Sequence, residues 1–285
     1  MSSVVVVTDS TAMLPAELAV ERGIVVVPLQ VVIGGDVFDE DSATSEMVAG
    51  ALRARTAVST SRPTPAALLG VYERAAREGA TEILSIHISG DMSGTFESAQ
   101  LAAREASLPV VTIDSRQVGI ATGFAVLSAV DVLDDGGSVD EAAAAARSRA
   151  AGASSLFYVD TLEYLRRGGR IGAAAALLGG ALSVKPLLRI DQGRVVNLDR
   201  VRTSARALSR MEDLAVEAAG EQPVDLCVSH LANPDRAADL AGRLGERLTA
   251  NLEGREVWCG ELGAVLGAHV GPGMVAACVA PRPSG

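Results

Sequence analysis

Short β-branched runs alternate with longer, alanine-rich segments through the first half of this chain, and that alternation limits what it can fold into. Val4-Val5-Val6-Val7 is the first run, and it ends in Thr8-Asp9-Ser10. Four apolar residues in a row, with no polar alternate, mark a strand buried on both faces, as in a parallel sheet. A helix is predicted next, with Pro15 near its first turn and Gly23 past its end. Residues 24–33 read as a second strand, closed by the turn residues Gly34-Gly35-Asp36. Helices are predicted over 45–53 and 65–78, a strand over 82–89, a helix over 95–105 and a strand over 110–114. Two further helices, over 119–133 and 138–151, close this half. Strands that alternate with helices imply crossover connections and a mostly parallel sheet.

After Ser154-Ser155 the pattern changes. A strand over 156–159 is followed by a glycine-broken helical stretch through Leu182, then by two strands flanking a Gln192-Gly193 turn, as in a hairpin. A helix over 204–219, a strand over 223–230, a helix over 235–248 and strands near Val257 and Met274 complete the chain. The expectation is an α/β protein of two domains. Residues 1–152 form an N-terminal domain with a parallel sheet, and residues 153–285 a smaller domain with a mixed sheet.

A chain of 285 residues buries roughly 75% of its unfolded surface, so no metal or disulfide staple is needed. Aromatic residues make up only 3%, so the core is built from Ala, Val, Leu and Ile. A net charge of -10 argues against nucleic-acid binding, which depends on a basic surface. Cys227, Cys259 and Cys278 are odd in number and lie in apolar segments, which reads as buried free thiols in a reducing compartment. The start has no basic n-region and no apolar run reaches the ~18 residues that span a bilayer. A soluble, cytoplasmic protein without an integral membrane segment is expected.

Three places carry candidate chemistry. His269 sits in an apolar, glycine-dense setting before Gly271-Pro272-Gly273, where a loop is the natural reading, and is either a functional side chain or a turn histidine. Residues 85–96 read as a strand, a tight loop and a helix start. The N–H groups of Gly94, Thr95 and Phe96 would favour an anion there, with Ser93 as a hydroxyl donor. The plain alternative is that Ser93 or Thr95 caps the helix. Ser59-Thr60-Ser61 supplies more hydroxyls than capping by Thr64 requires, and suits a second wall of an anion site.

Other chemistries fit less well. Gly90-Asp91-Met92-Ser93-Gly94 is one residue out of step with a nucleophile elbow. A serine acyl hydrolase using Ser93 and His269, with Asp9 as the orienting acid, is the enzyme alternative. His87 lies inside an apolar run and reads as a satisfied core histidine, and the three scattered histidines have no metal-ligand spacing. No dinucleotide fingerprint follows a predicted strand, and no phosphate-binding P-loop exists. The only lysine, Lys185, is not placed to form one.

Eight segments in order, across essentially the whole chain, resemble the DegV family. They are Thr8-Asp9-Ser10-Thr11, Thr60-Ser61-Arg62-Pro63, Ser93-Gly94-Thr95-Phe96-Glu97-Ser98-Ala99, Asp114-Ser115, the run from Asp160 to Gly172, Lys185-Pro186, Val201-Arg202-Thr203, and His269-Val270-Gly271-Pro272-Gly273. The resemblance implies a three-layer N-terminal domain and a two-layer C-terminal one, with a lipid slot at their interface for one fatty acid as ligand and no cofactor or metal. It implies a monomeric binding subunit, not itself a catalyst, that presents the acyl carboxylate to a separate fatty acid kinase subunit for acyl phosphate formation in phospholipid synthesis. By the same resemblance Thr60, Ser61 and Ser93, with Gly94 and Thr95, hold the carboxylate. Arg170, Arg202 and His269 lie near the head group or the kinase-facing surface. Arg62 departs from the family's usual glutamine and puts an extra cation beside the carboxylate. The small-residue run 171–182 is a candidate slot wall, or else a site of close helix packing.

Overall fold

The computed structural model describes residues 3–177 and 185–282. The elements begin with β1 (Val4–Asp9), α1 (Ala16–Glu21), β2 (Val25–Val27), β3 (Gln30–Ile33), β4 (Asp36–Asp39), α2 (Ser45–Arg53) and β5 (Val58–Ser61). Next come α3 (Pro65–Arg77), β6 (Glu82–His87), α4 (Thr95–Glu105), β7 (Val110–Asp114), α5 (Ile120–Asp134) and α6 (Val139–Gly152). The later part holds β8 (Ser154–Tyr158), α7 (Glu163–Arg167), β9 (Lys185–Asp191), β10 (Arg194–Val201) and α8 (Ser204–Ala219). It ends with β11 (Val224–His230), α9 (Pro234–Arg247), α10 (Thr249–Leu252), β12 (Trp258–Glu261), α11 (Ala264–Val270) and β13 (Val275–Pro281).

Cα packing groups Met1–Gln30 with Ser61–Ala151 as one unit, and Val31–Thr60 with Gly152–Gly285 as the other. Residues 31–60, expected inside a continuous domain of residues 1–152, are therefore counted with the C-terminal part of the chain.

In the first unit β2-β1-β6-β7 form a four-stranded, all-parallel sheet. Side chains alternate across a strand, so neighbours in β1 serve opposite cores. Val6 packs with Leu84, Ile86 and the α5 and α6 residues Ala125, Ala129 and Ala142. Val7 packs with Ile83 and the α3 and α4 residues Leu68, Tyr72 and Ala99. Helices thus cover both faces, giving three layers. Alanine on α5 and α6 permits this close packing where large side chains would hold the helices away.

The second unit carries a six-stranded mixed sheet, β10-β9-β8-β13-β11-β12. Residues of α8 and α9, among them Met211, Leu240 and Leu244, pack on Leu156, Leu226, Val228 and Val275. Gln192 and Gly193 both take positive φ, as a two-residue hairpin turn between β9 and β10 requires.

Several expectations need correction. The predicted strand over 24–33 is two strands: Val25–Val27 pairs with β1, and Gln30–Ile33 joins a separate three-stranded sheet, β4-β3-β5. Pro28 lies at the break and has no N–H to continue a ladder. The loop expected at Ser59-Thr60-Ser61 is strand β5, and the loop expected at His269 is the last turn of α11. Cys227 and Cys278 are buried and in no disulfide, but Cys259 is exposed on β12, at the edge of its sheet. Residues 178–182 of the small-residue run lie outside the described residues. Among the described residues no helix is long and apolar enough to cross a membrane, and no group of three or more His, Cys, Asp or Glu could hold a metal ion.

Leu84 is fully buried between sheet and helices, whereas Leu101 on α4 is 43% exposed. Leu84→Ala is expected to cost about 2–5 kcal/mol, and Leu101→Ala no more than about 0.5 kcal/mol. Urea midpoints followed by circular dichroism measure both.

Candidate functional site

In the first unit the site is built at the carboxyl ends of β1 and β6, the side where open parallel sheets place ligands. Asp9 ends β1 and is fully buried, yet its carboxylate is saturated with donors. One oxygen accepts from the Thr11 N–H at 3.2 Å and the Thr11 hydroxyl at 2.5 Å. The other meets His87 Nδ1 at 2.9 Å and accepts from the Ile88 N–H at 3.0 Å. An ionised Asp9 only accepts, so His87 carries its proton on Nδ1. Nε2 of His87 lies 2.7 Å from Ser85 Oγ, which in turn lies 2.8 Å from the Tyr72 hydroxyl. Burial pushes the Tyr72 phenol up to about 12, against a smaller opposing effect from Ser85, so it keeps its proton. His87 is the satisfied core histidine expected.

That network pins Ile88, the residue from which the loop to Ser93 departs. Ser89 continues the loop, donating its N–H to the Gln117 carbonyl and accepting the N–H of Ser93 at 3.0 Å on its own carbonyl. Gly94 then starts α4 with no side-chain cap. The Ser93 and Thr95 hydroxyls lie 2.8 Å apart, and Ser93 Oγ accepts only a long bond, 3.3 Å, from the Thr95 N–H. Neither hydroxyl therefore caps the helix in the ordinary way. Arg62 Nη1 bonds Glu97 at 3.1 Å, and a Cβ at Gly94 would overlap that guanidinium. Glycine at 94 is what lets Arg62 lie against the helix start. Ser61 is exposed and donates to Gln30 at 3.1 Å.

In the second unit His269 meets the Thr60 hydroxyl, Nε2 to Oγ1, at 2.9 Å. Its Nδ1 is buried and finds no hydrogen-bond partner among the described residues. Burial, with the Arg170 cation as a second cause, pushes His269 down to about 4, so the ring is neutral at physiological pH. Arg170 reaches back to the Gly168 carbonyl at 2.5 Å.

Three glycines make this arrangement possible. A Cβ at Gly168 would overlap His269 Nδ1, one at Gly271 the Tyr164 ring, and one at Gly273 the Asp160 carboxylate. Gly271 and Gly273 also sit at φ +77 and +92, where other residues are strained. The run from Asp160 to Gly172 is therefore the cradle of the Gly271-Pro272-Gly273 turn. Asp160 is itself fixed by the Tyr158 hydroxyl and by Lys185 Nζ at 3.1 Å. Burial alone would raise its carboxyl, but those two donors outweigh burial and hold it below the usual range.

Of the residues expected in the site, Thr60, Arg170 and His269 come together in the second unit, and Ser93, Gly94 and Thr95 in the first. Arg202 is exposed, immediately before the α8 cap Thr203. Asp9 is not available as an orienting acid for His269, because Thr11, His87 and Ile88 occupy both its oxygens. The hydroxyl bonded to His269 belongs to Thr60, 209 residues earlier in the chain. No local signal announces such a pairing. Glycines recurring in both the Asp160–Gly172 and the His269–Gly273 stretches were the one hint of close approach.

Unfolded His269 takes up a proton below about pH 6.5, and the folded ring only near about 4. Between those values the unfolded chain binds more protons, so this contribution to stability is complete above pH 6.5 and is lost as pH falls toward 4. The loss is on the order of 3 kcal/mol. Thermal unfolding from pH 4 to 8 is expected to show a steeper acid limb for the wild type than for His269→Asn.

Known proteins resemble this chain in sequence and in fold. The family model described as "Uncharacterised protein, DegV family" matches residues 3–282. A DegV domain-containing protein of Streptomyces coelicolor is 49% identical over 280 residues, covering 98% of this chain and 99% of the relative. Two solved structures share the whole architecture. One is a fatty-acid-binding DegV family protein from Thermus thermophilus, with TM-score 0.91 and 34% identity over 98% of this chain and 100% of that one. The other is DegV, a fatty acid binding protein from Bacillus subtilis, with TM-score 0.90 and 30% identity over 99% of this chain and 100% of that one. A family model that matches nearly the whole chain, a relative 49% identical along its length and two solved structures of the same fold agree, and this chain belongs to the DegV family.

Proposed function

We propose that this protein binds one long-chain fatty acid and holds its carboxylate on hydroxyl and backbone donors, as a cytoplasmic, monomeric carrier. The observation that carries this reading is the helix start at Gly94. There a turn at the carboxyl end of a buried strand leaves α4 without a side-chain cap and gathers the hydroxyls of Ser93 and Thr95. N–H groups at a helix start favour an anion, and a buried carboxylate is tolerated only when donors meet it. Ser61, Gly94 and Thr95 belong with Ser93 in this role, and Thr60 acts through its bond to His269. The fatty-acid-binding relatives from Thermus thermophilus and Bacillus subtilis support the ligand class.

The carrier presents the carboxylate to a separate kinase, which forms the acyl phosphate. The sequence has no P-loop lysine to do this itself, so an ATP-dependent partner supplies the phosphoryl group. Arg170, and Arg202 on the exposed approach to α8, offer the cations that added phosphate charge would meet. A serine hydrolase is less well supported: the glycine spacing around Ser93 is out of step, and the Asp9 carboxylate is committed elsewhere.

Denaturing mass spectrometry of an organic extract is expected to yield one fatty acid per protein, and a lipid-free extract that also fails to take up palmitate refutes the carrier. Ser93→Ala is expected to weaken palmitate binding by about 10-fold, the worth of one hydrogen bond to a charged group. Arg202→Ala is expected to spare lipid binding in calorimetry while slowing phosphorylation by the kinase. Equal loss of both would overturn the assigned separation.

A further inference from the structure

The helix that carries His269 begins at a residue unable to cap it. Gly263 is the N-cap of α11 and has no side chain to offer. The missing acceptor arrives from far away in sequence. Glu40, directly after β4 and 9% exposed, accepts the Val265 N–H on Oε1 at 2.9 Å. The approach is close enough that a Cβ at Gly263 would overlap this oxygen. Glycine at 263 and glutamate at 40 therefore make one device, in which a carboxylate substitutes for the absent cap and complements the positive end of the helix.

Three more contacts from the same stretch of chain fix α11 along its length. Ser45 Oγ donates to the Leu262 carbonyl at 2.7 Å, just ahead of the helix. A Cβ at Gly267 would stand 3.3 Å from Leu231 and 3.8 Å from Val48, so α11 lies close on both. Thr60 bonds His269 in the last turn. Held at its start, middle and end, a helix of seven residues has little freedom to rotate or slide. It is too short to be stable alone, so its position is set by these neighbours.

We infer that Glu40 is a positioning residue for His269, setting through α11 where the imidazole meets Thr60 and Arg170. Its meaning for lipid binding rests on the proposed carrier function, whereas its effect on His269 does not. The sequence hid this role, because Asp39-Glu40-Asp41-Ser42 looks like a solvated acidic turn.

The chain has three histidines, so ring NMR of the full-length protein resolves each, with His269→Asn identifying the signal. Arg170 and Thr60 face the ring in the wild type, and burial, with the Arg170 cation as a second cause, keeps it neutral well below pH 6.5. Glu40→Ala is expected to raise the His269 midpoint by at least one pH unit and, through the displaced helix, to weaken palmitate binding several-fold. Glu40→Gln keeps an acceptor and is expected to restore most of both. Thr44→Ala removes the cap of α2 instead, and is expected to move neither.

An unchanged His269 titration in folded Glu40→Ala, or an equal shift in Thr44→Ala, overturns the inference. Should Glu40→Ala fail to fold, Gly263→Ala decides, because its Cβ displaces the carboxylate without deleting it, and an unchanged titration there is equally fatal. A shifted titration with unchanged palmitate affinity upholds Glu40 as the positioning residue and removes His269 from the head-group site. If the wild type binds no palmitate, the carrier reading falls while the titration still tests Glu40.

Discussion

A buried carboxylate has to be met by donors, and in this protein the Asp9 carboxylate decides how the parallel sheet ends. Moving an ionised group out of water costs several kcal/mol unless hydrogen bonds replace its hydration. Asp9 receives them from the turn after β1 and from the end of β6, so the two strand ends are tied at one point. The loop to Ser93 leaves from that point with its first N–H already committed. The lip of the sheet is thus rigid because of its polar core, while the layers beneath rest on valine, isoleucine and alanine. His87, Ser85 and Tyr72 extend the same chain of bonds into the interior, each buried and each engaged.

The second unit reaches a similar end by different means. There the backbone comes close because side chains are missing. Gly168, Gly271 and Gly273 let His269, the Tyr164 ring and the Asp160 carboxylate approach main chain that any Cβ would hold away. Pro272 between two glycines at positive φ fixes the turn after α11. Glu40 and Thr60 then hold the helix at its two ends. A neutral, buried imidazole results, with a cation beside it and one ring nitrogen unsatisfied among the described residues. A group in that state is poised for a polar or anionic neighbour more than for service as a general base near neutrality.

The helices and the strands of the parallel sheet were readable because their signals are local. A β-branched run, a cap such as Thr64 before Pro65, and a glycine past a helix end each act within one turn of chain. The three-stranded sheet was not readable. Val31 to Ile33 looked like the continuation of Val25 to Val27, and β4 and β5 are short, polar and half exposed. β4 pairs with β3 across Gly34-Gly35, but β5 joins β3 only after the intervening α2, which no local signal announces. Thr60 stood out in the sequence as a hydroxyl of interest, but its partner was not legible, because a bond spanning 209 residues leaves no periodic trace.

By itself the sequence determined the chemistry available: an aliphatic core, a single lysine, hydroxyls at a helix start, and glycines where side chains come close to main chain. It also determined the lineage, since eight short motifs in one order do not recur by chance. Only the tertiary structure decided which residues work together. It moved residues 31–60 from the first packing unit to the second and put His269 on a helix. It committed Asp9 to His87 and brought Glu40 to the start of α11. The physical reason is the same in each case. Local propensity selects elements over a few residues, whereas the demand that every buried charge and helix end find a partner is met by whatever the fold brings within about 3 Å.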